Sequence, residues 1–518
     1  MPRRWNQTAL CAVLCALLLA GCSGSPSSDS STAPVVSAAP SPSAAPQRHN
    51  TLVLGHTPGS GYNPYLTDST LVAQNASLLF EKLVEIDPNM QLDYRIASSV
   101  QCTGNTVTIS VRSGCQFADG TPITAQDVAA SLQAARTSTR YAARFAAVQA
   151  VEAKGDAVLV QLSSPDSLFA YLCDIPVLKA AETGLSQPTA SGRYTYGADS
   201  STLVKNSYAT LDTAGPDTIQ LVEVSGYDEM VSGLSMGRIN LYTASETAQS
   251  SSSVSSRTSY YKTNNLVFLG VNGTPGDQKS LLLTTSEGRA FLSKIISRRQ
   301  LAEESFYGRA YPATGIINDY YDCVRSQHII LAQEELTAQQ ADEILTGWGY
   351  QKDPQTGYYQ TSDGKRLELR LLVYSGSTYK RYAASLLKEQ LAACGIYTVL
   401  EEQSDFTAYC EKIAAGDFDL YIGEVKLYNN MDMSPFFHQG QASWGIVQSD
   451  ALAAAYAAFK ADASAAGAFE QAFAAEMPLV PLLWRSGTVV HDRWVSGVDC
   501  SLSDVFYSLE NIRFDQGT

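Results

Sequence analysis

Apolar runs with the spacing of strands and of helices alternate along the chain, separated by turn signals. Residues 51–55 form a short apolar run suited to a buried strand. A loop rich in Gly, Pro, Asn and Tyr follows over residues 56–65, and residues 71–83 then carry apolar positions at helical spacing. A strand, loop and helix in this order often edge a ligand cleft, so Tyr62, Asn63 and Tyr65 are candidate contact residues. Residues 106–111 alternate with the two-residue period of a strand. Next, Asp119-Gly120-Thr121-Pro122 marks a turn, and Thr124 with Asp127 three residues on forms a capping box for a helix reaching about Arg136.

The second half of the chain repeats a strand-helix-strand order. Residues 367–374 read as a strand, residues 379–394 as a helix closed by Gly395, and residues 396–400 as a second strand. A helix capped by Ser404 or Asp405 and ended by Gly416 follows, then a third apolar run over residues 418–422. This pattern predicts an open α/β sheet, in which ligands sit beyond the carboxyl ends of the strands. The loops at residues 375–378 and 423–430 are therefore cleft candidates, which brings in Glu424, Lys426, Tyr428 and Asn429, with Trp444 nearby. Tyrosine suits such a place because it offers an apolar face and a hydroxyl together.

Composition narrows the class. A chain of 518 residues has room for two or three domains. Lys and Arg number 36 against 51 Asp and Glu, a net charge of -15 without a basic cluster, so nucleic acid is not an expected partner. Arg3 and Arg4 precede an apolar stretch over residues 9–20 that is too short to span a bilayer, which reads as a signal peptide over residues 1–21. Leu19-Ala20-Gly21-Cys22 resembles the bacterial lipobox, in which Cys22 would carry the lipid anchor, and the Ser, Pro and Ala run over residues 22–46 suits a tether. Seven cysteines remain beyond Cys22, an odd number that cannot pair fully. Cys102 and Cys115 flank one strand-like run and are a candidate disulfide. Zinc-type Cys and His spacings are missing, so neither a metal nor another cofactor is expected.

Two short motifs bear on enzyme chemistry. Gly233-Leu234-Ser235-Met236-Gly237 matches G-x-S-x-G, but residues 227–234 look helical and residues 239–243 strand-like, the reverse of the strand-to-helix turn that a nucleophile elbow needs. The S-x-x-K matches at Ser377 and Ser385 lack the partner motifs of penicillin-binding proteins. The sequence assembles no reaction centre, and a non-enzymatic role is expected.

The segment Phe117-Ala118-Asp119-Gly120-Thr121-Pro122-Ile123-Thr124-Ala125-Gln126-Asp127-Val128 closely resembles the signature of family 5 solute-binding proteins, the oligopeptide- and dipeptide-binding type. Further matches run in the same order, among them Leu79-Phe80-Glu81-Lys82-Leu83, Ser191-Gly192-Arg193-Tyr194, Gly237-Arg238-Ile239-Asn240 and Gly416-Asp417-Phe418-Asp419. The resemblance implies a bilobed class II periplasmic-binding-protein-like α/β fold with an additional domain inserted in the first lobe. The first lobe would comprise residues 47–84, 180–265 and 488–518, the inserted domain residues 85–179, and the second lobe residues 266–487. Two strands would cross between the lobes near residues 266–272 and 482–490. Implied with the fold are a monomer, a small solute or peptide as ligand, hinge closure and the permease subunits of an ABC importer as partners. A surface lipoprotein that uses the fold as a sensor or adhesin is the alternative. Peptide binders of the family usually carry a Trp and an Asp after the strand that ends in the binding loop, and the Asp pairs with the peptide ammonium. Here those positions hold Glu424 and Leu427. Either Glu424 or Asp432 would replace that anchor, or both would face solvent; a Lys426 that faced the cleft would instead favour an acidic solute.

Overall fold

The computed structural model describes residues 50–211, 213–244, 256–275, 280–327, 335–437, 440 and 442–515. The expected signal peptide, Cys22 and the tether lie outside the described residues. β1 (Thr51–His56) opens the first lobe and leads to α1 (Thr70–Leu79), whose N-cap Ser69 accepts a hydrogen bond from the Val72 amide. The helix ends before the expected residue 83. Gly192 packs on this turn so closely that a Cβ there would meet the Leu78 carbonyl at 2.7 Å, and Phe80 leaves in an extended conformation.

The inserted domain is a four-stranded antiparallel sheet made of β2 (Ala97–Thr103), β3 (Thr106–Val111), β4 (Val148–Lys154) and β5 (Ala157–Leu162), in the order β2-β3-β5-β4. α2 (Ala125–Thr137) covers it with Val128, Leu132 and Ala135, which are spaced to share one face. Its capping box forms as read, with Asp127 accepting from both the amide and the hydroxyl of Thr124. The preceding turn places Gly120 at φ 81, pairs Asp119 with Lys179 at the end of the inserted segment, and fastens the domain to the first lobe through the Ala118 amide to the Ala190 carbonyl. The family-like segment thus acts as a clasp.

β6 (Thr218–Glu223) runs parallel to β1, α3 (Tyr227–Ser235) follows, and β7 (Leu241–Thr243) pairs on the other side of β1. The 16-residue β8 (Ser256–Val271) then enters the second lobe. There β9 (Glu368–Tyr374), α4 (Thr378–Ala393), β10 (Tyr397–Gln403), α5 (Phe406–Ala414) and β11 (Leu420–Lys426) form the expected strand-helix repeats, with β9 parallel to both β10 and β11. Ser377 caps α4 and Gly395, at φ 75, follows its end. Residues 423–426 continue β11 as strand, where a loop was expected.

The return strand β12 (Leu479–Asp492) pairs antiparallel with β8 along both lobes. One 11-stranded sheet results, and β8 and β12 are its only strands shared by the two lobes among the described residues. Their register shifts between the pairs Lys262↔Ser486 and Leu266↔Trp484. On one side of that shift β12 pairs with β7, and on the other β8 pairs with β11. The change of partners falls a few residues before the first crossing read from the sequence and inside the second. Separate apolar cores fill the two ends, one around Leu52, Phe80 and Val107, the other around Phe268, Leu371 and Trp484.

The candidate disulfide is not formed, and Cys102 and Cys115 are both free thiols. Cys102 lies at the turn end of the β2–β3 hairpin, opposite Val107, whereas Cys115 lies beyond Val111 at its open end. At about 3.3 Å per residue, β3 keeps the two thiols well beyond bonding reach.

Candidate functional site

Between the lobes lies a cavity of about 770 Å³, and the register shift of β8 and β12 forms its back wall. Tyr261 comes from β8 and Arg485 to Thr488 from β12. The Tyr261 ring lies over Gly487, where a Cβ would come within 2.1 Å of it, so glycine is required for the ring to lie there. The first-lobe side adds the opening turn of α1 and the α3 residues Tyr227 and Met230, and the inserted domain adds Arg140, Tyr141 and Arg144. From the second lobe come Arg309, Tyr379 in the first turn of α4, and Lys426 to Asn429 at the end of β11. The carboxyl end of β11 thus opens on the cavity, as an open α/β sheet leads one to expect. A second concavity of about 1040 Å³ is formed around Trp348, Tyr358 and Arg370 near the amino ends of β9 and β11, inside one lobe.

Lys426, Tyr428 and Asn429 therefore share the cavity wall, whereas Glu424 stands behind it. Its carboxylate is held by Lys380 at 2.7 Å and Arg485 at 2.9 Å. Burial alone would push this carboxyl up, but the two cations outweigh burial and hold it down at about 2. Leu427 is buried, and its amide donates to the Asn264 carbonyl at 3.0 Å. Asp432 accepts from the Tyr456 hydroxyl and the Ser434 amide beside the loop.

The remaining sequence candidates lie elsewhere. Asn63 is buried and its amide group is used locally, donating to the carbonyls of Thr183 and Leu185 and accepting from the Tyr65 amide. Tyr65 is buried against Tyr141 and donates to the Pro176 carbonyl. Tyr62 stacks on His56 with ring centroids 4.8 Å apart and donates to the Ser200 carbonyl, outside the cavity wall. Trp444 packs on the second-lobe core beside Gly445, whose carbonyl accepts from Gly273 just past the end of β8, at the opposite end of that lobe from the cleft. Of the three enzyme-like serines, Ser235 donates back to the Val231 carbonyl at the end of α3, Ser377 caps α4, and Ser385 donates to the Arg381 carbonyl within that helix.

Sequence reading missed Arg140, Arg144, Arg309 and Arg485. The four-residue step from Arg140 to Arg144, just past α2, was the only local sign of the first two. Arg144 pairs with Asp174 at 2.8 Å, and Asp174 accepts from the Asn429 amide group at 3.2 Å, a contact across the cleft. Lys82, on the floor, pairs with Glu85 at 3.2 Å and donates to the Ser503 carbonyl. Burial pushes Glu85 up to about 7 despite the pull of Lys82.

A knot of buried amides joins the cavity wall to the register shift. Asn264, inside the register shift, donates to the Tyr321 hydroxyl at 2.7 Å and to Asn429 Oδ1 at 3.3 Å, and accepts from Asn318 at 3.2 Å. Tyr321 in turn donates to the Asn429 carbonyl at 2.7 Å. These bonds tie Asn429 of the cavity wall to the segment where the strands change partners.

Two α/β lobes, an inserted domain and a cleft at the crossing strands define a bilobed binding protein. A family model described as bacterial extracellular solute-binding proteins, family 5 (middle), matches residues 92–445, and the chain belongs to that family. Among solved structures, a nickel ABC transporter protein from Bacillus halodurans is 16% identical, matched over 89% of this chain and 98% of its own, with TM-score 0.71. The unliganded open form of MppA, a periplasmic murein tripeptide binding protein, is 17% identical over 90% of this chain and 97% of its own, with TM-score 0.70. The oligopeptide-binding protein AppA of Bacillus subtilis, in complex with a nonapeptide, is 18% identical over 91% and 100%, with TM-score 0.55. At these identities the likeness is one of fold.

Proposed function

We propose that this protein is an extracytoplasmic lipoprotein that captures a small solute, a peptide by preference, between its lobes and delivers it to the permease of an ABC importer. The observation that carries the reading is the cavity itself, which draws its wall from both lobes and from the two strands between them. A solute there would touch both lobes at once, and contacts present only in the closed form are what stabilise closure. The lobes would divide as the sequence suggests, with the hinge at the register shift. The volume suits a small ligand, and Tyr141, Tyr227, Tyr261, Tyr379 and Tyr428 offer the mixed apolar and hydrogen-bonding surface that a peptide needs. A bare nickel ion fits less well, because the wall contains neither His nor Cys and is rich in cations.

Mass spectrometry of solutes released from protein purified without denaturation tests this reading. One discrete solute per chain is expected. Protein that carries none, and whose thermal unfolding no peptide mixture shifts, would refute it. Uptake of that solute should stop when the gene is deleted, whereas a sensor or adhesin would leave uptake intact.

A further inference from the structure

We propose that the cleft selects solutes with two or more acidic groups, and that such an anion closes the lobes by bridging Arg140 on one side to Arg309 and Lys426 on the other. This inference rests on the solute-binding reading above. The chain carries a net charge of -15, yet its cavity is lined by Lys82, Arg140, Arg144, Arg309, Lys426 and Arg485 against the two carboxylates of Asp174 and Asp504. Three of those cations are neutralised within the protein: Lys82 by Glu85, Arg144 by Asp174 and Arg485 by Glu424.

The other three are not. Arg140 donates to the Asp68 carbonyl and Arg309 to the Tyr379 hydroxyl, both neutral acceptors, and Lys426 is exposed and makes no ion pair among the described residues. Nor is the donor capacity of the arginines used up. Nε of Arg140, and Nε and Nη2 of Arg144, are buried and find no acceptor among the described residues. In Arg144 these two atoms form the edge that matches the paired oxygens of a carboxylate or phosphate, while Nη1 is the atom that reaches Asp174. Glu424, the carboxylate on β11 itself, is held between two cations, and Asp174 is taken up by Arg144 and Asn429.

The unneutralised cations stand on opposite sides of the cleft. Arg140 follows α2 in the inserted domain. Arg309 precedes the Ala310–Pro312 strand that pairs with β12, and Lys426 ends β11. Like charges facing each other oppose closure, and an anion between them turns that repulsion into attraction from both sides. Charge then does two things at once: it rejects cationic solutes and it makes closure depend on the cargo.

Calorimetry on the full chain, freed of retained solute, tests this with N-acetylated triglutamate, trialanine and trilysine and with inorganic phosphate as probes. Triglutamate should bind about ten-fold or more tighter than trialanine, and trilysine should not bind. Binding should weaken as NaCl rises from about 50 to about 500 mM. Arg309→Met with Lys426→Met should remove the preference, whereas Lys205→Met, at an exposed ion pair far from the cleft, should leave it. Binding of phosphate but not of triglutamate would assign the site to phosphorylated solutes and uphold the anion rule. The solute retained at purification should itself be an anion. A neutral or cationic retained solute, or equal binding of the three peptides, overturns the selectivity while leaving solute capture standing. No retained solute and no binding of any probe overturns both.

Discussion

Glu424 illustrates how little a residue's chemistry follows from its neighbours in sequence. Its position after an apolar run suggested a cleft anchor for an amine, but its partners come from α4 and from Arg485, 61 positions away. Those partners make it a structural ion. Because its folded value is depressed from 4.5 to about 2, it contributes stability that is present above pH 4.5 and lost as the pH falls toward 2. Glu424→Gln should therefore cost roughly 3 kcal/mol at neutral pH, since it leaves Lys380 and Arg485 buried without their counter-ion. Chemical denaturation at pH 7 and near pH 3 would check this, and the gap between variant and parent should narrow at the lower pH. Lys426, Tyr428 and Asn429 were legible for the opposite reason. They end a strand whose apolar run and flanking helices are local signals, and the open-sheet rule places that end at the ligand.

Elements were legible where their boundaries are set by nearby side chains. The capping box at Thr124 and Asp127 and the Ser377 and Gly395 ends of α4 rest on contacts within a few residues. The end of α1 at Leu79 was not, because Gly192 sets it from across the lobe. The same holds for the hinge, where the register of β8 against β12 depends on strands more than two hundred positions apart. Asn264 is the side chain that holds this irregular stretch, and it is buried with three side-chain partners. Asn264→Ala would take from the buried Tyr321 hydroxyl its donor and release Asn429, at a cost of roughly 2–3 kcal/mol. Urea unfolding would read that loss. Weaker binding of the retained solute would show that the knot also sets the cleft loop, whereas unchanged affinity would separate stability from capture.

Over the whole molecule, one long sheet serves two apolar cores, and the proposed closure would be carried by the two strands that cross between the lobes. Charge is divided in the same way, acidic overall and basic in the cleft, a contrast invisible in composition because its arginines are scattered in sequence. The proposed lipid anchor adds a limit to where capture happens: Cys22→Ala should release the protein from the membrane fraction in a fractionation blot, and unchanged retention would refute lipidation. Hydrogen–deuterium exchange on the full chain, with and without the solute it retains, tests capture between the lobes most directly. Protection should rise together at residues 140–144, 426–429 and 485–488, from the inserted domain, the second lobe and the hinge. Protection confined to one lobe, with these three segments unchanged, would contradict it.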